Sequence, residues 1–273
     1  MTTDVDGYIQ LTAPIDGVRL LTLTSPEELN ALSRDRVVAL RRTLDEIADD
    51  ESCRVLVITG AGRGFCGGMN VKSAAAERAT TDRASNIPLR LKGQEMYAGL
   101  MGRIRSLPQP VIAAVNGAAA GAGFAMTLSC DVRVAAESAR FHVAAIKIGF
   151  SAGESGISYL LPRLIGASRA FEIMLTGRPF DANEAERYGV VSRVVPDGEV
   201  VEAALDVAKA MLANPPFAVA MTKQIMWSNL DVGSYQAAIE LENRTQILAG
   251  STDDNREAIA AFAEKRTPTF RGR

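Results

Sequence analysis

Gly60-Ala61-Gly62-Arg63-Gly64-Phe65-Cys66-Gly67-Gly68-Met69-Asn70 and, further along, Asn116-Gly117-Ala118-Ala119-Ala120-Gly121-Ala122-Gly123 decide how this chain is read. Each follows a short apolar run, Val55 to Thr59 in the first case and Val111 to Val115 in the second. Such runs read as buried strands. The second stretch leads into Phe124 to Leu128, which starts a helix, so its last residues lie at a helix N-terminus. There the first amides lack an intrahelical acceptor and the dipole favours negative charge. Small residues let a ligand carbonyl approach the backbone closely. The first stretch is not a phosphate loop, because it has no Gly-Lys-Ser/Thr ending. A dinucleotide fingerprint fails as well, since no suitable helix is expected to open directly after it. Alone, it is an ordinary glycine-rich surface loop.

Outward from these loops, Tyr8 to Leu11 and Val18 to Thr24 flank Asp16-Gly17 and predict a β-hairpin. Ser33 is placed to cap a helix running to about Asp50, with Val37, Val38, Leu40, Leu44 and Ile47 on one stripe. Residues 73 to 90 show no period and read as a mobile, polar segment. A helix follows to about Ser106, stopped by Pro108 and Pro110. With a further strand at Val132 to Ala135, the alternation implies an α/β core built from βαβ crossovers. From Ser155 helical periods dominate, separated by Gly166, Gly177, Gly189 and Pro196, with one short strand at Val190 to Val195. Asn214-Pro215-Pro216 separates two helices, and Ile239, Leu241 and Ile247 mark an apolar stripe in the last third. The expected organisation is a core over residues 1–200 and a helical region over 201–273 that covers the core or a neighbouring subunit.

The 273 residues carry 30 basic and 32 acidic side chains, a net charge of -2, which argues against a nucleic-acid partner. The basic tail from Lys265 to Arg273 is either a solvated end or a phosphate contact. Cys53, Cys66 and Cys130 form neither a metal spacing nor a disulfide framework, so reduced thiols and a cytoplasmic setting are expected. With His142 as its one histidine, the chain offers no multi-histidine metal site. No apolar run reaches the ~20 residues that span a bilayer, so no membrane partner is expected.

The two loops, in this order, resemble those of the crotonase superfamily, the enoyl-CoA hydratase/isomerase family. Further matches run along the chain: Leu29-Asn30-Ala31-Leu32, Leu161-Pro162-Arg163-Leu164-Ile165-Gly166, Leu175-Thr176-Gly177-Arg178, Ala185-Glu186-Arg187-Tyr188-Gly189-Val190-Val191 and Phe262-Ala263-Glu264-Lys265-Arg266. The resemblance implies a crotonase-like ββα spiral with a C-terminal helical subdomain, acting on an acyl-CoA thioester. It implies an oxyanion hole made by the N–H groups of Met69 and Ala122, where many relatives have glycine in place of Ala122. Such donors stabilise the negative charge that develops on a thioester oxygen. It further implies that Asn30, Ala31 and Leu32 contact the pantetheine. Gly67, Gly68, Asn70 and Lys72 would lie near the coenzyme, and Phe262 and Lys265 would reach the coenzyme of a neighbouring subunit. A homotrimer or a hexamer of paired trimers is expected, with no metal or other cofactor beyond the coenzyme A of the substrate.

One departure is informative. Hydratases of this family resemble one another in two glutamates, and this chain has Ala125 and Ala145 at those places. Alanine transfers no protons, so hydration by two carboxylates lacks both groups. Glu154 stands at a third family position that carries an acid in dienoyl-CoA isomerases and in a dehalogenase. Its ordinary reading is a first-turn helix acid favoured by the dipole. Its functional reading is a single acid/base for double-bond isomerisation. Rival readings are acyl-CoA hydrolysis, atypical hydration and non-catalytic acyl-CoA binding. His142 is the other titratable candidate, and Ser151, Ser155 and Ser158 read as local caps or packing groups.

Overall fold

Along Val55–Gly60 (β4), Val55 and Val57 face one apolar cluster while Leu56 and Ile58 face another. This two-residue alternation puts the strand in the middle of a sheet covered on both faces. The computed structural model describes residues 2–80 and 86–273. In it, β4 is the fourth of seven strands. Thr2–Val5 (β1), Ile9–Thr12 (β2) and Val18–Leu23 (β3) form an antiparallel run. From β3 onward, β4, Val111–Val115 (β6), Val132–Ala136 (β8) and Arg193–Val195 (β11) pair in parallel. The hairpin across Asp16-Gly17 forms as expected.

A second, four-stranded sheet explains how the chain returns. Gly64–Cys66 (β5), Ala118–Ala120 (β7) and Arg140–His142 (β9) pair in parallel, and Phe180–Asp181 (β10) adds an antiparallel edge. β4, β6 and β8 of the large sheet are therefore each followed by a strand of the small sheet and then by helices. β4 and β5 lead to Val71–Thr80 (α2) and Ile87–Ser106 (α3), and β6 and β7 lead to Ala122–Ser129 (α4). β8 and β9 lead, through a 3-10 turn at Ala144–Ile148, to Ile157–Ile165 (α5) and Ala167–Thr176 (α6). The repeat is a ββα spiral, which corrects the simpler βαβ crossovers read from spacing. Phe124, Phe141 and Phe180 lock α4, β9 and β10 together with ring centroids 5.3 to 5.7 Å apart. Such pairs add about 0.5–1.5 kcal/mol beyond their burial.

Several local expectations need correction. Helix Arg34–Asp49 (α1) begins at Ser33 as expected, with Ser33 Oγ accepting from the Arg36 amide at 3.4 Å. Val38, however, is 53% exposed, because it lies on the side of the helix away from Leu40, Leu44 and Ile47. The segment read as polar and mobile over 73–90 contains α2 and the start of α3, and residues 81–85 lie outside the described residues. A helix, α2, does open directly after the first glycine loop.

Val200–Leu212 (α8) packs Val200, Ala204, Leu205 and Ala208 on the face of the large sheet that carries Val55 and Val57. This helix therefore packs with the core. Beyond it come Pro216–Asn229 (α9), Tyr235–Gly250 (α10) and Asp253–Glu264 (α11). Helix α9 is tied down by Lys223, whose ammonium is buried 2.9 Å from Asp131 and 2.9 Å from the Gln109 carbonyl. Asp131 also accepts from Val111 N and Trp227 Nε1. Helix α10 buries no residue, and Ile247 on its stripe is 73% exposed.

Candidate active site

Two asparagines hold the first glycine loop. Asn116 Oδ1 accepts from Gly60 N at 3.1 Å, and its Nδ2 donates to Gly62 O at 2.9 Å. Asn30, buried and left-handed at φ +56°, donates to Ala61 O at 3.0 Å and Gly64 O at 2.8 Å and accepts from Ser25 N at 2.8 Å. Asn30 thus fixes the loop with its side chain instead of presenting it to a ligand. Leu32 is bound on both sides as well: its amide donates to Gly68 O, and its carbonyl accepts from Asn70 N and from Tyr97 Oη. Neither they nor Ala31 line the cavity described below.

That pairing of Leu32 with its neighbours fixes where the Met69 amide points. Gly68 O and Asn70 N both face Leu32. Successive residues of an extended strand turn their amides to opposite sides, so the Met69 N–H faces away from Leu32. Ala122 is the first residue of α4, so its N–H has no intrahelical acceptor. The two loops touch. A Cβ placed on Gly68, where φ is +86°, would lie 2.5 Å from Ala120 O and 3.2 Å from Ala122 N. Likewise a Cβ on Gly123 would lie 2.0 Å from Cys66 O, so only glycine lets α4 start against β5.

Met69 and Ala122 both line a cavity of about 690 Å³, within the ordinary range of ligand pockets. Glu154 lines it too, and Glu154 Oε1 is 3.2 Å from where a Gly121 Cβ would stand. Its carboxyl therefore abuts the residue that precedes the Ala122 amide. Gly121 itself is held by its N–H to His142 O at 2.9 Å. Burial raises the Glu154 pKa above its ordinary 4.5, because desolvation penalises the charged form. Glu154 is not a first-turn acid. It lies in the loop before α5, whose N-cap is Gly156, so the ordinary helix-start explanation is removed. None of the three serines caps α5 through its side chain: Ser151 Oγ closes a turn with Gly153 N, and Ser155 is left-handed at φ +49°.

Among the described residues that line the cavity, Glu154 is the sole carboxylate. Ala145 also lines it, whereas Ala125 is fully buried in α4. His142 uses Nε2 on Gly177 O at 2.9 Å and does not line the cavity, which makes it structural. Asn70 caps α2 by accepting from Ser73 N at 3.0 Å, and Lys72 is exposed beside Glu28, whose carboxyl the Asn70 and Arg36 side chains hold below its usual range. Phe262, 88% exposed, and Lys265, at the end of α11, do not line the cavity of their own chain. Burial pushes the Cys66 and Cys130 thiols up to about 12 and Cys53 to about 11, so all three are free but inert. No group of three or more metal-ligating side chains occurs among the described residues. Sequence reasoning missed the cavity walls from residues 91–98 of α3 and from Ile148 and Phe150, which carry no motif.

A sequence profile described as Enoyl-CoA hydratase/isomerase matches residues 15–273. The chain belongs to the enoyl-CoA hydratase/isomerase family. It is an acyl-CoA-processing enzyme with the crotonase fold. It is 43% identical to EchA12 of Mycobacterium tuberculosis, named a probable enoyl-CoA hydratase, over 94% of this chain and 90% of that one. A crystal structure of a probable enoyl-CoA hydratase/isomerase from Mycobacterium abscessus superimposes with a TM-score of 0.88 at 38% identity, covering 97% of this chain and 99% of that one. A monofunctional enoyl-CoA isomerase from M. smegmatis matches at 42% identity and a TM-score of 0.73, over 85% of this chain and 98% of that one. Hydratase and isomerase names thus both occur among relatives in the family. No helix among the described residues is long and apolar enough to cross a membrane.

Proposed function

We propose that this enzyme shifts a carbon–carbon double bond along an unsaturated acyl-CoA by moving one proton. The Glu154 carboxylate takes a proton from the carbon next to the thioester of a 3-enoyl ester. The electron pair moves through the thioester, and negative charge develops on its oxygen. The amides of Met69 and Ala122 hold that charge, and one such donor contributes about 3–4 kcal/mol. Protonated Glu154 then returns the proton at the far end of the delocalised system, giving the 2-enoyl ester. Atoms and charge balance without a metal or redox group.

The observation that carries this reading is Glu154, the sole carboxylate among the described cavity residues, set against Gly121. Its raised pKa supports it, since a carboxyl moved toward neutrality both accepts and donates efficiently. Ala125 and Ala145, at the places of the hydratase glutamates, argue in the same direction. In the same proposal, Gly67, Gly68, Asn70 and Lys72 lie near the coenzyme. Phe262 and Lys265, which do not line their own cavity, reach the coenzyme of a neighbouring subunit in a trimer or hexamer.

The test is the purified enzyme with 3-enoyl-, 2-enoyl- and dienoyl-CoA esters, with products separated by chromatography and weighed by mass spectrometry. Isomer formation without a mass change is expected, lost in Glu154→Gln while ester binding persists. Turnover retained by the variant sinks the role of Glu154. A second reading, hydration with Glu154 activating water, is favoured by the hydratase name of EchA12 and gives a product heavier by one water. Free coenzyme A marks a hydrolase, and binding without turnover marks a non-catalytic binder.

A further inference from the structure

Five large apolar side chains left in water line this cavity. Val71 on α2 is 53% exposed, Ile87 and Leu91 on α3 are 73% and 57%, and Ile148 and Phe150 are 55% and 39%. They come from three separate segments, so their convergence is not the by-product of one amphipathic helix. Contiguous exposed apolar surface of this kind marks a binding site. The α3 wall runs from Ile87 to Ala98, about 16 Å of helix at 1.5 Å per residue. An extended chain advances roughly 1.2 Å per bond, so a dozen or so bonds lie along that wall. A four-carbon acyl group would leave most of it wet.

We propose that the acyl group this enzyme takes is a medium- to long-chain, unsubstituted hydrocarbon chain, seated between α2, α3 and the Ile148–Phe150 segment. This rests on the cavity being the acyl-CoA site. The competing occupant is a chain ending in a carboxylate, which would seek Arg90, also on the α3 wall. Arg90 is itself exposed and stands among Ile87, Leu89 and Leu91. An arginine in such a place lays its stem along apolar surface and keeps its head in water.

Calorimetric binding of saturated esters, from butanoyl- to hexadecanoyl-CoA, with one dicarboxylic ester of intermediate length, separates the possibilities. These esters have no double bond to shift or hydrate, so the result does not depend on the proton transfer proposed for Glu154. Affinity is expected to rise about fourfold per added methylene until the wall is covered. Leu91→Asp, an exposed position that does not threaten folding, is expected to weaken the longest ester far more than the shortest. Affinity that is flat with length overturns the inference, as does tighter binding of the dicarboxylic ester than of its alkyl counterpart. Binding of no ester sinks the acyl-CoA reading of the cavity and this inference together.

Discussion

Gly68→Ala perturbs the junction of the two loops without touching any side chain. The new methyl would stand 2.5 Å from Ala120 O, about 0.9 Å short of the 3.4 Å at which ordinary contact begins. Both partners are backbone, so the loops must part by nearly that much. The amides of Met69 and Ala122 move with them. A misplacement near 1 Å costs catalysis on the order of 100-fold. The left-handed φ of +86° adds strain of about 1–3 kcal/mol to the folded state. The expected variant is folded but less stable, and its kcat falls roughly 100-fold. Circular dichroism and thermal melting establish the fold, and isomer formation from a 3-enoyl-CoA gives the rate. A folded variant whose kcat stays within a few-fold of the parent refutes the reasoning, because the donor pair would then tolerate separation.

Two further predictions concern charge. The Glu154 pKa is raised in the fold, so its neutral form is favoured there, and the associated stability is full below 4.5 and lost as pH rises through the folded value. Glu154→Gln is therefore expected to melt higher than the parent at neutral pH and alongside it at pH 4, and equal melting across that range would refute the buried-carboxyl argument. Lys223→Met removes the ammonium that faces Asp131 and the carbonyls of Gln109 and Ile104. Burial already pulls the Lys223 pKa down against the attraction of Asp131, and breaking such a pair typically costs about 3–5 kcal/mol. Urea denaturation measures the loss, and a loss under about 1 kcal/mol would mean that α9 is held by other contacts.

The strands with strong apolar patterns were legible in the sequence. Val55–Gly60 and Val111–Val115 are buried on both faces and read as continuous apolar runs. The strands Gly64–Cys66 and Ala118–Ala120 were not, because three residues are too few to carry an alternation, and without them the spiral looks like plain crossovers. Helix α2 was missed for the opposite reason. Its run Val71-Lys72-Ser73-Ala74-Ala75 has no apolar stripe, since the face it shows the cavity is not part of the core. At the site, the two glycine loops announced themselves, while the proximity of Glu154 to Gly121 depends on a left-handed loop at Ser155 and Gly156 that spacing does not reveal. The buried Asn30 side chain answers carbonyls of the neighbouring loop, a pairing that the sequence does not announce.

Strands β5 and β7 are immediate neighbours in one parallel sheet, and each runs into one member of the amide pair within three residues. The two amides proposed as donors are consequently brought close by the pairing of adjacent strands, which lie about 4.8 Å apart in any sheet. In the proposed mechanism the proton carrier, Glu154 in the loop before α5, and the charge-holding amides at the ends of the two glycine loops therefore sit on separate elements, so that one can be exchanged without dismantling the other.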